Sequence, residues 1–415
     1  MSQQEDIAVT KFREYLRVNT EQPNPDYEGC AKFLCGLATE LGIECRTIRS
    51  EEYMPFVLMT IPGAQPELPA LMLYSHTDVV PTFKDHWTHD PYSAFKDESG
   101  NIFARGAQDM KCVGSQYIEA IRRHFGRGKK QWKRTIHLLF GPDEEIGGDK
   151  GMRSFALTEE FRKLNIGFAL DEGLASENDT YKVFYGERVP WWLKVTCEGN
   201  PGHGSKFIEN TAAEKMQKVI NSALAFREEQ RQLLTNHSDW TLGDVTTLNL
   251  NQANGGVQIN VVPERYELYF DIRVTPKMDF NEMENRIKKW CTDAGPDVKF
   301  EFIQSNGPNA LDIYFEKFPD VKLETRFMTS TNRDDPFWAA FEDALTKEDC
   351  KFTKEIFPAA TDSRYIRGLG IGSLGFSPMI NTPVLLHDHN EFLNEKVFLR
   401  GVQIYETLID KLAMV

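Results

Sequence analysis

A chain of 415 residues, 41% of them hydrophobic, can build two or three domains with well-buried cores. Its formal net charge of -14 and pI near 5.3 exclude a broad basic surface for nucleic acid or anionic membrane and point to small-molecule chemistry. Met1 to Asp6 lack the basic and apolar character of an export signal, and no apolar run is long enough to span a bilayer, so a cytoplasmic location is expected. Seven cysteines without Cys-x-x-Cys spacing argue against a disulfide framework or a thiolate zinc site and suggest buried thiols.

In chain order, apolar periodicity predicts helices from Ile7 to Val18 and from Tyr27 to Leu41, the second ended by Gly42. Phe56 to Ile61 and Ala70 to Ser75 read as strands of one sheet, and the second runs into His76-Thr77-Asp78. An imidazole two residues before a carboxylate at a strand end suits a metal ligand whose other ring N–H is held by the aspartate. An ordinary loop pair is the alternative. His86 and His89 lie mid-loop, with no strand end to aim them. Arg105-Gly106-Ala107-Gln108-Asp109 precedes an amphipathic helix from about Cys112 to Phe125. Asp109 there is either an N-cap or a carboxylate whose two oxygens bridge two cations.

The strand Thr135 to Phe140 leads into Gly141-Pro142-Asp143-Glu144-Glu145-Ile146-Gly147-Gly148. Open α/β sheets place their chemistry at such strand ends. Adjacent carboxylates hemmed by glycines repel each other, so a cation or a proton is expected beside them. One can coordinate a metal while its neighbour serves as a general base. A solvated turn that starts a helix is the bland alternative. Ile166 to Leu170 makes another strand, ended by Asp171-Glu172-Gly173. His76, Asp109, Glu145 and Glu172 together form a mixed imidazole and carboxylate set, which suits zinc better than magnesium or calcium.

After Pro190 the order of elements becomes β-α-β-β-α-β: strand Trp191 to Glu198, helix Thr211 to Leu233, strands Thr246 to Asn251 and within Val257 to Val274, helix Asp279 to Cys291, strand Val298 to Ile303. That is the ferredoxin-like pattern, a unit able to close on itself as an insertion. Its edges are placed at Gly186-Glu187-Arg188-Val189-Pro190 and Gln304-Ser305-Asn306-Gly307-Pro308. Within it His203 stands between glycines in a loop, and Asn260 and Arg273 lie on the alternating strand region. Beyond it a helix is expected over Asp335 to Leu345, a polar turn at Ala359 to Arg364, and a last helix over Glu395 to Leu412. Gly370-Ile371-Gly372-Ser373-Leu374-Gly375 matches a dinucleotide fingerprint in letters only, because Phe376-Ser377-Pro378 follows where a helix must open. Leu386-His387-Asp388-His389-Asn390-Glu391 supplies a further histidine ahead of the final helix.

In order, and across almost the full length, His76-Thr77-Asp78, the Asp109 turn, Glu144-Glu145, Asp171-Glu172-Gly173, Pro201-Gly202-His203 and the His387 segment resemble the two-zinc peptidase family that includes carboxypeptidase G and carnosinase. The resemblance implies an α/β zinc-peptidase catalytic domain with a central mixed sheet flanked by helices, over residues 1–188 and 308–415. A ferredoxin-like lid and dimerisation domain is then inserted at 189–307. It further implies two zinc ions per subunit: His76, Asp109 and Glu172 on one, Asp109, Glu145 and His387 on the other. His387 is taken in place of His389 because it stands four residues before Glu391. Glu144 would be the general acid/base acting on a water between the metals, and Asp78 the residue that orients His76. Arg364 would hold a substrate carboxylate, Asn260 and Arg273 would be further substrate-binding residues from the insertion, and His203 would stabilise an oxyanion from across a homodimer. The expected reaction is hydrolysis of an N-acyl L-amino acid to a free amino acid and a carboxylate. A dipeptidase or carboxypeptidase is the enzymatic alternative, and a metal-free binding dimer the alternative of another class.

Overall fold

The computed structural model describes residues 5–49, 54–303 and 328–415, which fall into two compact units. The first comprises the described residues of Met1–Tyr185, Lys322–Lys354 and Thr361–Val415, the second those of Gly186–Val321 and Glu355–Ala360. The second edge expected from the sequence, Gln304 to Pro308, lies outside the described residues.

The chain opens with α1 (Ile7–Leu16) and α2 (Tyr27–Leu41), each N-capped by an aspartate, Asp6 or Asp26, whose carboxylate accepts a first-turn N–H. Gly42 ends α2 at φ 69°, the left-handed conformation that glycine adopts without a Cβ penalty. Then come β1 (Glu44–Ile48), β2 (Phe56–Ile61), β3 (Ala70–His76), β4 (Phe95–Lys96), β5 (Asn101–Phe103), α3 (Lys111–Gly126), β6 (Ile136–Gly141), α4 (Met152–Ala156), α5 (Glu159–Arg162), β7 (Ile166–Asp171) and β8 (Tyr181–Glu187). The second unit holds β9 (Val189–Glu198), β10 (Gly202–His203), α6 (Ala212–Asn236), β11 (Thr247–Gly255), β12 (Val261–Val262), β13 (Arg265–Val274), α7 (Phe280–Ala294) and β14 (Val298–Phe302). The last described elements are α8 (Pro336–Lys347), β15 (Phe352–Phe357), α9 (Ser363–Gly368), β16 (Gly372–Gly375), β17 (Phe392–Asn394) and α10 (Glu395–Leu412).

Eight strands form one mixed sheet in the order β1-β2-β6-β3-β7-β16-β8-β15, the α/β architecture expected. Its centre is parallel, β3 with β6 and with β7, and β7 with β16. Parallel strands are covered on both faces, and the side chains divide accordingly. Val57, Met59, Leu71, Leu73, Ile136, Leu138, Phe168 and Leu170 join a core with Phe12, Leu34, Tyr117, Phe341 and Phe398 of the helices. Alternate positions face the other way, where the rings of Phe56 and Phe155 of α4 meet at 4.5 Å. Register puts His76 opposite Gly141 and Leu73 opposite Leu170. The segments that leave β6 and β7 therefore emerge beside His76. Helix α3 comes down on the same corner: a Cβ at Gly114 would lie 2.7 Å from Ser75 Oγ, so only glycine permits that approach.

In the second unit β11-β13-β9-β14 form an antiparallel sheet. With α6 and α7 this is the β-α-β-β-α-β order read from the sequence. Trp191, Leu193, Leu268, Phe270 and Ile272 bury one face against Val219, Phe226, Met283 and Ile287, and Thr211 starts α6 with a capping box to Glu214. The expected strand bounds shift here. β11 carries a bulge between Leu250 and Gln252 and continues to Gly255, while Val257 and Ile259, expected within a strand, are fully exposed loop residues.

Candidate metal centre

Asp109 stands at the middle of the site. Its Oδ1 lies 2.9 Å from His76 Nε2 and its Oδ2 lies 3.3 Å from His387 Nε2. Glu172 Oε2 is 3.7 Å from the same His76 nitrogen, and Glu145 Oε2 is 3.0 Å from His387 Nε2. Two groups result, His76 with Asp109 and Glu172, and Asp109 with Glu145 and His387, and within each the ligand atoms lie no more than 4.8 Å apart. Donors about 2.0–2.2 Å from a tetrahedral zinc stand about 3.3–3.6 Å apart, and the four distances above straddle that spacing. The donors are borderline nitrogen and hard oxygen, with no thiolate. One oxygen of Glu145, Oε1, is buried without a hydrogen-bond partner. These residues fit a pair of divalent cations that share one carboxylate.

The electrostatics of these side chains show the same need for positive charge. Burial and the charge of Asp109 push Glu145 up to about 7 and raise Glu172 well above the carboxylate range. Burial and the charge of Glu172 do the same to Glu144. Burial lowers His76, but Glu172 and the hydrogen bonds to Asp109 and Asp78 more than reverse it. Hydrogen bonds to Asp109 and Glu145 raise His387 to about 10. Asp109 itself, raised by burial, is carried far down by its two histidines.

Each ligand is held by a distinct local device. His76 ends β3, and its Nδ1 is 3.0 Å from the Asp78 carbonyl oxygen, with Asp78 Oδ1 at 3.7 Å. The backbone of Asp78, more than its carboxylate, therefore fixes this ring. The carboxylate turns instead to the acidic turn, accepting from Glu144 N and Glu145 N at 3.2 Å each and from Gln22 Nε2 at 2.8 Å. Tyr27 Oη accepts from Asp143 N at 2.9 Å. Asp143 (φ 76°), Gly147 (φ 107°) and Gly148 (φ 69°) all take positive φ around this turn, and a Cβ at Gly148 would meet Asp362 Oδ1 at 2.6 Å. That is the physical reason for the glycine pair.

Asp109 lies just ahead of α3, whose N-cap is Met110, so the N-cap reading of the aspartate does not hold. The Asp109-Met110 peptide is cis. Buried Glu391 accepts from the backbone N–H of Gly106 (3.2 Å), Gln108 (2.6 Å) and Asp109 (3.3 Å) and from Arg105 Nη1 (2.9 Å). Gln108 bonds the Pro383 and Phe392 carbonyls and Leu385 N, which ties the segment carrying His387 to the loop carrying Asp109. Glu172 follows β7. A Cβ at Gly375 of β16 would lie 2.4 Å from the Glu172 carbonyl oxygen, so the glycine-rich run that imitates a nucleotide fingerprint is strand β16, pressed against a ligand-bearing turn.

The other expected residues are placed as follows. Arg364, in the first unit, bonds the carbonyl oxygens of Thr361 (2.8 Å) and Gly147 (2.9 Å), the latter one turn from Glu144. His389 stacks on His86 at 4.9 Å and lies in neither ligand group. In the second unit His203 is exposed, with Nδ1 2.8 Å from Ser205 Oγ, Asn260 accepts from Gly204 N at 2.8 Å, and Arg273 pairs with Asp271 at 2.7 Å. Gln22, Tyr27, Arg105, Gln108 and Glu391 were not anticipated. The only signal was the spacing of Glu391 from His387 and the position of Arg105 within the Asp109 motif.

The chain is similar to several known proteins. Aminoacylase-1 of Mus musculus is 52% identical over 408 residues, covering 98% of this chain and 96% of the mouse protein. Aminoacylase-1 of Homo sapiens is 48% identical, covering 100% and 97%, and that of Dictyostelium discoideum 48%, covering 99% and 98%. Among solved structures, an M20 family metallo-carboxypeptidase from Sulfolobus solfataricus superposes with a TM-score of 0.71 at 15% identity, covering 99% of this chain and 100% of its own. A dinuclear metal binding peptidase of the M20 family from Bacillus subtilis gives 0.64 at 14%, covering 97% and 98%. Residues 72–411 match peptidase family M20/M25/M40, and the chain belongs to that family.

Proposed function

We propose that the chain is a zinc-dependent amidohydrolase that splits N-acyl L-amino acids into a free L-amino acid and a carboxylate. The observation that carries this is the pair of ligand groups sharing Asp109, in a chain about half identical to aminoacylase-1 over nearly its full length. His76, Asp109 and Glu172 would hold one zinc, and Asp109, Glu145 and His387 the other. Zinc so held would supply the positive charge that polarises an amide carbonyl and makes water acidic near neutral pH.

Glu144, next in the chain to the ligand Glu145, is free to take the proton of the attacking water and pass it to the departing amine. Asp78 keeps Glu144 and Glu145 in their turn. Arg364 receives the substrate carboxylate with a planar pair of N–H groups, and Asn260 and Arg273 add contacts from the second unit. Residues 189–307 act as lid and dimerisation domain between the catalytic segments 1–188 and 308–415. His203 donates to the oxyanion in the site of a homodimer partner. Phe207, Val257 and Ile259 of the same unit are almost wholly exposed, apolar side chains that a partner subunit would cover. No helix among the described residues is long and apolar enough to cross a membrane, and all seven cysteines are free thiols, in keeping with a cytoplasmic enzyme.

Purified protein assayed against N-acetyl amino acids and unblocked dipeptides tests the reading. Cleavage of the acetyl derivatives at a kcat/KM well above that for dipeptides is expected, and Glu144→Gln should lose two or more orders of magnitude in kcat while keeping its zinc. Preference for dipeptides would make the chain a dipeptidase of the same family.

A further inference from the structure

We infer that Cys35 and Cys45 form an intramolecular disulfide when the protein meets a two-electron oxidant of the peroxide class. Cys35 lies on α2 and Cys45 on the adjoining edge strand β1, with their Sγ atoms 2.8 Å apart. That is inside the roughly 3.5–4.0 Å of ordinary non-bonded contact and less than about 1 Å from the S–S bond length. The elements that carry them are already fixed against each other. β1 pairs with β2 from Glu44 to Ile48, and Arg49 just beyond β1 reaches Glu28 on α2. Both thiols are half-buried, within reach of a small oxidant yet in contact with one another. Cys30, Cys112, Cys197 and Cys291 are buried, and Cys350 has the Glu348 carbonyl as its neighbour at 3.6 Å.

The chemistry balances with hydrogen peroxide alone. One thiolate attacks a peroxide oxygen, the O–O bond breaks, and a sulfenic acid and one water result. The second sulfur attacks the first, the S–O bond breaks, and the hydroxyl leaves as a second water. Two thiols and one peroxide become one disulfide and two waters. The new bond joins residues ten apart and staples an edge strand of the large sheet to the helix behind it. A short closed loop of this kind stabilises mainly by restricting the unfolded chain, so oxidation should raise the melting temperature of the first unit. No ligand of the metal centre takes part, so activity should be retained.

The test is brief peroxide treatment of the folded, full-length protein, followed by thiol counting after denaturation, intact mass and peptide mapping without reductant. The expected result is a fall from seven thiols to five, a mass lower by two hydrogens, and one cross-linked pair of peptides carrying Cys35 and Cys45, all reversed by dithiothreitol. Cys35→Ser and Cys45→Ser should each lose the two-hydrogen change and the rise in melting temperature. An unchanged thiol count, oxygen added to isolated cysteines, or a cross-link between Cys197 and Cys291 instead would each overturn the proposal. Mapping of the unsubstituted protein decides the matter even if a serine variant folds poorly.

Discussion

The carboxylate of Asp78 accepts the backbone N–H of Glu144 on one oxygen and that of Glu145 on the other, each at 3.2 Å. One buried side chain thus sets the position of the proposed proton carrier and of a proposed ligand together. Asp78→Asn keeps the shape but turns an N–H donor toward one of these amides. We expect kcat to fall about ten- to hundredfold, the usual cost of losing a residue that orients metal ligands. Gln22→Ala removes one hydrogen bond from the same carboxylate and should cost about fivefold, near 1 kcal/mol. Steady-state kinetics with zinc analysis would check both. Unchanged kcat in Asp78→Asn would show that the turn holds itself.

Glu391 joins the Asp109 loop to the His387 segment. Glu391→Gln removes the charge that balances buried Arg105 and turns an NH2 group toward either the Gln108 and Asp109 N–H groups or the Gly106 N–H and Arg105. Breaking such a pair costs about 3–5 kcal/mol, so the melting temperature of the first unit should drop by several degrees. Zinc should also be lost to weaker chelators than the unsubstituted protein resists. Competition with graded chelators measures the second effect. A variant with normal metal retention would restrict Glu391 to a structural part.

Stability should carry the signature of His137 on β6. Burial keeps its imidazole neutral and lowers its pKa to about 4, while Thr60 Oγ1 stands 3.1 Å from Nδ1. The unfolded chain binds this proton near pH 6.5 and the folded chain only near 4. The contribution is therefore complete above about 6.5 and is lost as the pH falls from 6.5 to 4. The shift corresponds to roughly 3 kcal/mol. Melting curves of the unsubstituted protein and His137→Gln should differ most above pH 7 and converge toward pH 4. A gap that is constant over this range would mean the imidazole titrates alike in the folded and the unfolded chain.

Four of the proposed ligands were legible because each adjoins an element with strong periodicity, whereas His387 came from the family resemblance. His76 ends an apolar strand, Glu145 and Glu172 follow two others, and Asp109 precedes an amphipathic helix, so local pattern alone aims them at one sheet edge. Their supports were hidden for the opposite reason. Gln22 meets Asp78 across 56 residues of sequence and Arg105 meets Glu391 across 286, and no local pattern carries such a pairing. The carboxylate of Asp78 was expected on His76, and only the fold showed it under the Glu144 turn. β1 and β15 escaped because Glu-Cys-Arg-Thr-Ile and Phe-Thr-Lys-Glu-Ile-Phe are sheet-edge segments with little apolar alternation.

The proposed role of His203 predicts complementation. His203→Ala and Glu144→Ala homodimers should each be nearly inactive. In a mixed dimer, one site keeps its own Glu144 and receives an intact His203, while the other has both defects. Random assortment makes about half the dimers mixed, so about a quarter of normal activity should return on co-expression. Mixed dimers shown to form yet remaining inactive would confine His203 to its own chain.

The central claim is that two metal ions sharing Asp109 drive the hydrolysis. Protein stripped by a strong chelator should be titrated with zinc while release of leucine from N-acetyl-L-leucine is followed. The account predicts negligible activity without metal and a rise that levels off at two zinc ions per chain. Full activity in metal-free protein, confirmed by elemental analysis, or a plateau at a single ion would contradict it.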